Sequence, residues 1–531
     1  MEKKKTFYIT TPIYYPSGNM TLGNSYTTVI CDAMARYKKE KGFDVYYLTG
    51  TDEHGQKIEN KAKEQNITPL EFVDEIVLKT QELWKELKIS NDDFIRTTQK
   101  RHTDVVEKVF SYFLNKGDIY LGHYEGWYCR ECEAFFTQTQ LVDGKCPDCG
   151  REVKLQKEEA YFFKMSKYTN QLLKYYEEHP NMIVPESRKT EMINNFIKPG
   201  LEDLCVSRTS FDWGVKIKEN PKHVVYVWID ALVNYISALG YLSEDDSLFQ
   251  KYWLNGDERV HVLGKEITRF HVIYWPIMLM ALNLPLPTYF YSHGWLIMKD
   301  GKMSKSKGNV VYPLPLKNAY GIDALRYYLL REIPMFSDGL FTPEQFVERY
   351  NTDLANDLGN LSHRSLSMIN KYYQGMIPAY HGCVTEFDKD LEAASQNAIE
   401  KFYYHMDRFE INLAIEQMMN YVSKANKYIE DTKPWALAKD ETKQQELASV
   451  MVHLANVIYQ ASVFMRPILI EKAPMILEML QVPKNLQNYQ SAEQFGVLHS
   501  IKICEKPTPA FVRLDAKVEV EKMKEIIYQP K

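Results

Sequence analysis

The segment Lys302-Met303-Ser304-Lys305-Ser306, followed by Lys307-Gly308-Asn309, sets two lysines three apart on a short loop bounded by glycines. Ammonium groups on flexible stems are point charges suited to phosphates, so Lys302 and Lys305 could stabilise a departing pyrophosphate. Surface loops are often basic, and the pentapeptide alone could be one. Its weight comes from a second segment far upstream. Tyr15-Pro16-Ser17-Gly18-Asn19-Met20-Thr21-Leu22-Gly23-Asn24 is a Pro/Gly turn that follows the apolar run Phe7-Tyr8-Ile9-Thr10. Gly23 would let the backbone approach a nucleotide, and the start of a helix would offer N–H groups and a positive dipole end. The Thr21 hydroxyl and the Asn24 amide could each donate a hydrogen bond there.

Four of the eight cysteines carry a different chemistry. Cys129-Arg-Glu-Cys132 and Cys146-Pro-Asp-Cys149 are two C-x-x-C pairs separated by 13 residues. Each pair puts two thiolates on one tight turn, and two turns close a tetrahedron around zinc. Gly144, Pro147 and Gly150 suit such knuckles. Two disulfides or a redox pair are the alternative. A four-thiolate site leaves no position for water, so the metal, one zinc per chain, should be structural. The other four, Cys31, Cys205, Cys383 and Cys504, are scattered singly and read as buried, reduced thiols.

These groups need elements to hold them. Thr6 to Thr10 reads as a strand, Ser25 to Gly42 as a helix with apolar residues at helical spacing, and Val45 to Thr49 as a second strand. The second strand ends at Gly50-Thr51-Asp52-Glu53-His54-Gly55, placing polar residues where open parallel sheets bind ligands. Residues 68 to 117 look helical, and the alternation stops from about 118 to 222. It resumes with expected strands at Val224 to Asp230, Arg259 to Gly264 and Thr288 to Tyr291. From Asn351 the pattern is helical: Leu354, Leu358, Leu361 and Leu366 lie along one helix, Leu413 to Val422 mark another, and Val450 to Met465 a third. The tail from about 485 lacks sustained periodicity, although Val518 to Ile527 could form a last helix.

Taken together, these segments resemble the class I aminoacyl-tRNA synthetases, and further matches narrow the resemblance to the methionyl-tRNA synthetase family. Val227-Trp228-Ile229-Asp230-Ala231-Leu232-Val233-Asn234-Tyr235 resembles that family's W-x-D-A-L/P-x-x-Y segment. Gly264-Lys265-Glu266-Ile267-Thr268-Arg269-Phe270-His271 resembles its G-K-D/E-I-x-x-F-H segment. Asn351 to Asn360 and Lys433-Pro434-Trp435-Ala436 resemble its anticodon-binding bundle. The likeness covers about residues 6 to 470. One departure stands out: both histidines of the family's phosphate turn are replaced, by Thr21 and Asn24, as in some tryptophanyl enzymes.

The resemblance implies an α/β fold: a Rossmann-type parallel sheet split by a zinc-knuckle insertion, then an α-helical bundle. The boundaries expected are 1–117 and 223–300 for the catalytic halves, 118–222 for the insertion, 301–350 for the lysine loop and stem contact, 351–485 for the anticodon domain, and 486–531 for the tail. It implies activation of L-methionine by ATP, with Mg2+, and transfer to tRNA(Met). Lys302, Lys305, Thr21 and Asn24 would be catalytic, and Tyr15, Gly23, Gly264, Glu266 and Lys305 would bind ATP. Ile13, Tyr15, Asp52, Trp228, Ala231, Leu232, Tyr235, Ile267 and His271 would hold methionine, with Asp52 on its ammonium. Asn356, Asn360, Arg364 and Trp435 would read the anticodon by stacking and hydrogen bonding.

Three other readings stay open: another class I synthetase, a non-catalytic tRNA-binding paralogue suggested by the missing histidines, and an adenylate-forming ligase that uses no tRNA. Composition is that of a globular enzyme, 531 residues with 45% hydrophobic. A net charge of −5 means that any RNA contact must come from local patches. No signal-peptide core and no run of about 18 uninterrupted apolar residues is evident, so a cytoplasmic protein without membrane contact is expected. With about 45 residues after the bundle, a monomer is expected.

Overall fold

The computed structural model describes residues 3–132, 134–136, 138–299, 301–302 and 310–528. The chain forms two compact units, residues 1–20 with 42–293 and residues 21–41 with 294–531. Helix α1 (Leu22–Glu40) therefore belongs to the second unit, although it follows the turn after the first strand.

The first unit is built on six strands: β1 (Thr6–Thr10), β2 (Asp44–Thr51), β3 (Asp93–Arg96), β4 (Ile183–Val184), β5 (Glu258–Gly264) and β6 (Tyr289–His293). Their spatial order is β3-β2-β1-β5-β6-β4, and every pairing is parallel. Parallel strands are covered on both faces and read as apolar runs, and all five residues of β1 are buried. Where β2 meets β3, Gly50 lies opposite Ile95. A Cβ at Gly50 would sit 2.0 Å from the Ile95 carbonyl oxygen, so only glycine lets the strands close. The chain leaves β1 one way through β2 to β3, and later fills the other side with β5 and β6. The strand order thus reverses between β1 and β5, and the segments after β1, β2 and β5 gather at one sheet edge.

Three expectations need correction. Residues 68–117 are not helical throughout: β3 lies between the helix Pro69–Glu86 and α2 (Lys100–Lys116). With four residues and only Ile95 buried, β3 is too short to show an alternating pattern. Val224–Asp230 is not a sheet strand. Only Val224–Val225 pairs, antiparallel with Ser207–Arg208, and α3 (Val227–Ser237) starts two residues later. A short apolar run has the same signature as a buried helix turn, and here the helix wins. Finally, β4 arises inside the stretch 118–222 and pairs with β6.

The rest of that stretch carries its own antiparallel sheet. Ile119–Cys129 runs against Lys154–Phe163, from Ile119 opposite Phe163 to Tyr128 opposite Lys154, and Ala134–Phe136 and Leu204–Cys205 flank the pair.

The second unit is mainly helical. It contains α4 (Asn360–Tyr373), α5 (Asp388–Met406), α6 (Ile411–Thr432), α7 (Pro434–Leu437), α8 (Gln444–Met465) and α9 (Ala516–Tyr528). Leu354, Leu358, Leu361 and Leu366 are all buried along the π-helical turn Tyr350–Gly359 and α4. The run Glu441–Met465 is long and apolar enough to cross a membrane by composition, but 94% of its apolar 18-residue stretch is buried, which marks α8 as the central helix of a bundle. In the same unit α1 is anchored by a buried ion pair, Asp32 with Arg326 at 2.7 Å. Arg326 also donates to the carbonyls of Pro467 and Ile468.

Of the single cysteines, Cys31 and Cys205 are buried as expected, whereas Cys383 is exposed and Cys504 is half-buried.

Candidate active site and metal centre

In the first unit, the edge where the strand order reverses carries most of the residues assigned to methionine. Leu232 and Tyr235 of α3 belong to the main core, with Ile13, Trp228 and Ile267 packed against it. Ala231 shares a small cluster with Tyr128 and Tyr226, again with Ile13 packed on it. Trp228 stacks on Phe270 with ring centroids 3.6 Å apart and planes 11° off parallel. Tyr15 is the exception: it packs against a different cluster, built on Ile58, Phe72 and Ile76.

The buried imidazole among these residues is neutral. His271 Nδ1 lies 3.0 Å from the Ile267 carbonyl, which can only accept, so Nδ1 carries the proton. Nε2 therefore accepts from the Tyr235 hydroxyl at 2.7 Å. Burial pushes His271 down to about 4, well below the usual imidazole range, so the ring is uncharged at pH 7. A buried set of aromatic rings around a neutral imidazole suits a long, polarizable thioether.

Asp52 sits just past the end of β2, with 8% of its surface exposed. Its backbone N–H donates to the Tyr14 carbonyl at 3.0 Å, and Tyr14 N–H donates to Gly50, so the segment after β1 runs alongside the end of β2. Asp52 does not cap the next helix, whose N-cap is Gly55. Gly264 ends β5, and a Cβ on it would lie 2.6 Å from a carboxylate oxygen of exposed Glu266, so Glu266 folds back over the glycine.

Three residues that sequence reasoning left without a role hold this arrangement. Asp230, fully buried on α3, accepts from His54 Nδ1 at 2.6 Å and from His102 Nε2 at 2.8 Å. His102 also contacts the Ser237 hydroxyl at 2.8 Å. One carboxylate thus ties the turn after β2, helix α2 and helix α3 together. Beside it, buried Glu53 receives two bonds from Arg96, at 2.7 and 2.9 Å, and one from the Thr98 hydroxyl. His54 and Asp230 lay inside the recognised segments, but nothing in the sequence around His102 links it to either.

Burial works to raise the Asp230 carboxyl, but the imidazoles of His54 and His102 outweigh it and hold the group at about 2, below its ordinary 3.8. A depressed carboxylate stabilises the fold above its unfolded value, so this contribution is complete above about pH 4 and fades as pH falls towards 2. Asp230→Asn should cost about 2 kcal/mol, because both imidazoles lose an ionised acceptor in a buried site. Thermal melts from pH 2 to 7 check this: the variant should melt lower at neutral pH, with the gap to the parent closing below pH 4.

In the second unit, Thr21 caps α1. Its N–H and its hydroxyl both donate to the Asn24 side-chain oxygen, at 2.9 and 3.0 Å, so the two residues that replace the family's histidines form one hydrogen-bonded unit at the helix start. At Gly23 an added Cβ would meet only Thr21 Oγ1, at 3.6 Å, so among the described residues packing does not demand glycine there. Lys302 ends the short strand Gly301–Lys302, paired with Leu296–Met298. Lys305 lies outside the described residues.

The four clustered cysteines do meet. Cys129 and Cys149 sulfurs are 3.5 Å apart, Cys132 and Cys146 sulfurs 3.8 Å, and all four lie within 4.8 Å of one another. These gaps exclude disulfides, whose sulfurs sit about 2.0 Å apart. They fit a zinc tetrathiolate, whose bonds of about 2.3 Å put sulfurs roughly 3.8 Å apart. The knuckle turn closes through Gly150, whose N–H donates to the Cys146 carbonyl at 2.9 Å and whose φ of +71° favours glycine.

In the bundle, Trp435 is 40% exposed on α7. Arg364 lies 5.7 Å from the centre of its ring and pairs with Glu430 at 2.7 Å. Asn356 and Asn360 are exposed on the helical run that leads to Arg364.

Comparison with known proteins follows the same lines. The family described as "tRNA synthetases class I (M)" matches residues 7–154 and 149–366, and the "Anticodon binding domain of methionyl tRNA ligase" matches residues 377–525. Methionine–tRNA ligase of Bacillus subtilis (strain 168) is 58% identical over 535 residues, spanning 98% of this chain and 80% of the relative. The ligase of Listeria monocytogenes serovar 1/2a is 58% identical over 532 residues, with the same two shares. Mycobacterium tuberculosis methionyl-tRNA synthetase, solved with methionyl-adenylate, gives a TM-score of 0.90 at 39% identity, covering 96% of this chain and 100% of the other.

Proposed function

Since the chain belongs to the methionyl-tRNA synthetases, class I ligases that join methionine to tRNA, we propose the following division of labour among its residues. Methionine lies with its thioether among Ile13, Trp228, Ala231, Leu232, Tyr235, Ile267 and His271, and its ammonium on Asp52. Tyr15, Gly23, Gly264 and Glu266 hold ATP, with the glycines giving close approach and Glu266 taking a ribose hydroxyl. The methionine carboxylate attacks the α-phosphate in line, forming methionyl-adenylate and releasing pyrophosphate. Lys305, with Lys302, stabilises the charge growing on the leaving group, and Thr21 and Asn24 assist at the phosphates, Asn24 donating through its amide NH2 while Thr21 holds the amide oxygen. Positioning and electrostatics carry this step. The terminal ribose hydroxyl of tRNA(Met) then attacks the adenylate carbonyl and displaces AMP. Magnesium enters with ATP. The reading extends to a monomer in the cytoplasm.

The observation that carries this reading is the neutral, buried pair of His271 with Tyr235, which shares helix α3 with Trp228, itself stacked on Phe270, with Asp52 just past the end of β2. The test is charging of tRNA(Met) with labelled methionine. Formation of methionyl-tRNA supports the reading, whereas adenylation without any charging would return the chain to a ligase that uses no tRNA.

For the anticodon, Trp435 is the stacking platform, and Arg364 places a cation beside it. Removing one base–aromatic stack costs about 1–3 kcal/mol. Trp435→Ala should therefore lower kcat/KM for tRNA(Met) by about 10- to 100-fold and leave methionine-dependent pyrophosphate exchange unchanged. Equal loss in both assays would show that Trp435 acts through the fold.

We assign Cys129, Cys132, Cys146 and Cys149 to one structural zinc. Its removal by a chelator should unfold the module locally, because such binding energy is folding energy. Amide exchange across 129–151 should speed up by about 100-fold, with the amides of β1 and β5 unaffected. Unchanged exchange across the knuckle would mean that it folds without metal.

A further inference from the structure

The second unit brings together three unlike donors that the proposed reaction does not use. Cys383 lies on the segment between α4 and α5, Glu392 on α5, and His453 on α8. Their ligand atoms all fall within 4.8 Å of one another. We propose that these three side chains form a second metal site, for zinc or a similar thiophilic divalent cation, which clamps the α4–α5 segment to the bundle's central helix.

The geometry around each donor supports this. His453 is fully buried, and its Nδ1 lies 2.7 Å from the Ser449 carbonyl. That carbonyl can only accept, so Nδ1 carries a proton and Nε2 points at the cluster. Metal-bound imidazoles are oriented in the same way, by a carbonyl or carboxylate behind the ring. Glu392 Oε1 is held by the Tyr380 hydroxyl at 2.6 Å and lies 3.1 Å from His453 Nε2. That contact is attractive only with a cation, a proton or a metal, between the two atoms. The Cys383 sulfur lies within 4.8 Å of both of these atoms. A tetrahedral zinc site with bonds of about 2.0–2.3 Å puts its donors roughly 3.3–3.8 Å apart, so side-chain shifts of less than about 1 Å would close it.

The ligand types also speak for zinc. Thiolate, imidazole and carboxylate in one site suit it, and hard cations such as magnesium avoid sulfur. Three protein ligands leave the fourth position to water, and exposed Cys383 gives the ion a way in. On binding, two protons leave to solvent, the thiol's and the one shared between His453 Nε2 and Glu392 Oε1, and metal bonds from Sγ, Nε2 and Oε1 take their place. The site should therefore exchange metal more readily than a closed tetrathiolate.

The test is zinc stoichiometry on the full chain, comparing the parent with Cys383→Ser and Glu392→Gln. Each protein is stripped of metal, reloaded with excess zinc alone, passed over a desalting column and assayed for bound metal, with folding checked by circular dichroism. The parent should hold one zinc more than Cys383→Ser. Because the readout is a difference, it stands whether or not the other four cysteines bind zinc. Cobalt gives a second readout: the parent should gain an additional sulfur-to-cobalt charge-transfer band that Cys383→Ser lacks. Equal zinc content in the parent and a folded Cys383→Ser, with identical cobalt spectra, would overturn the proposal. Since Cys383 is exposed, its serine variant is expected to fold even if Glu392→Gln does not.

Discussion

Lys305→Ala should slow methionine-dependent ATP–pyrophosphate exchange by about 100- to 1,000-fold in kcat, while KM for methionine changes little. The reasoning concerns when the charge appears. In the ground state the β- and γ-phosphates carry their charge in water and with magnesium. As the bond from the α-phosphate breaks, additional charge gathers on the leaving oxygen, and a lysine that reaches it then stabilises the transition state more than bound ATP. Losing one preorganised donor of this kind costs about 2.7–4 kcal/mol. An interaction made only in the transition state lowers kcat and kcat/KM together. Lys302→Ala should show a smaller loss. A Lys305→Ala enzyme with full kcat and a raised KM for ATP would instead make the loop a ground-state clamp.

Asp52→Asn should lower kcat/KM for methionine by a similar factor, about 100- to 1,000-fold, but mainly through KM. Asp52 is almost completely buried at the end of β2, and its backbone is fixed by the Tyr14 carbonyl. An ammonium group placed against it leaves water and needs a full negative charge in return. Removing one partner of a buried, hydrogen-bonded charge pair costs about 2–5 kcal/mol, much of it from stranding the other charge. The ammonium does not react, so the loss falls on ground and transition states alike, which is the signature of uniform binding. A methionine analogue without its amino group separates this from misfolding. It should bind parent and variant alike, whereas methioninol, which keeps the ammonium, should bind the variant far more weakly. If both analogues lost affinity equally, Asp52 would be supporting the pocket wall.

The parts that could be read from the chain share a property: each rests on local pattern. β1, β2, β5 and β6 are apolar runs ending in polar or glycine-rich turns, and all four occur where expected to within two residues. The two C-x-x-C pairs are local in the same way, and their sulfurs converge. The residues on α3 assigned to methionine were read through a motif, not through secondary structure, since the run up to Asp230 was expected to be a strand. Val224 to Asp230 is apolar at every position before Asp230, and such a run offers no period by which to choose. What escaped was non-local. β3 and β4 are four and two residues long, and the sheet around them makes them strands. The bridge of His54, Asp230 and His102 joins positions 128 and 176 residues apart, which no spacing rule connects. Cys383 looked like any other single cysteine until the fold set it beside Glu392 and His453.

The replaced phosphate-turn histidines remain the sharpest challenge to the reading as a working synthetase. Thr21 and Asn24 keep the hydrogen-bonding capacity of the turn and close on each other at the start of α1. The most direct measurement is therefore ATP–pyrophosphate exchange by the purified protein with methionine, set beside leucine, isoleucine, valine and cysteine. Exchange with methionine alone is the predicted result, and it would show that threonine and asparagine serve where histidines are usual. No exchange with any of the five amino acids, in folded protein that still binds tRNA(Met), would contradict the account and leave a tRNA-binding paralogue in its place.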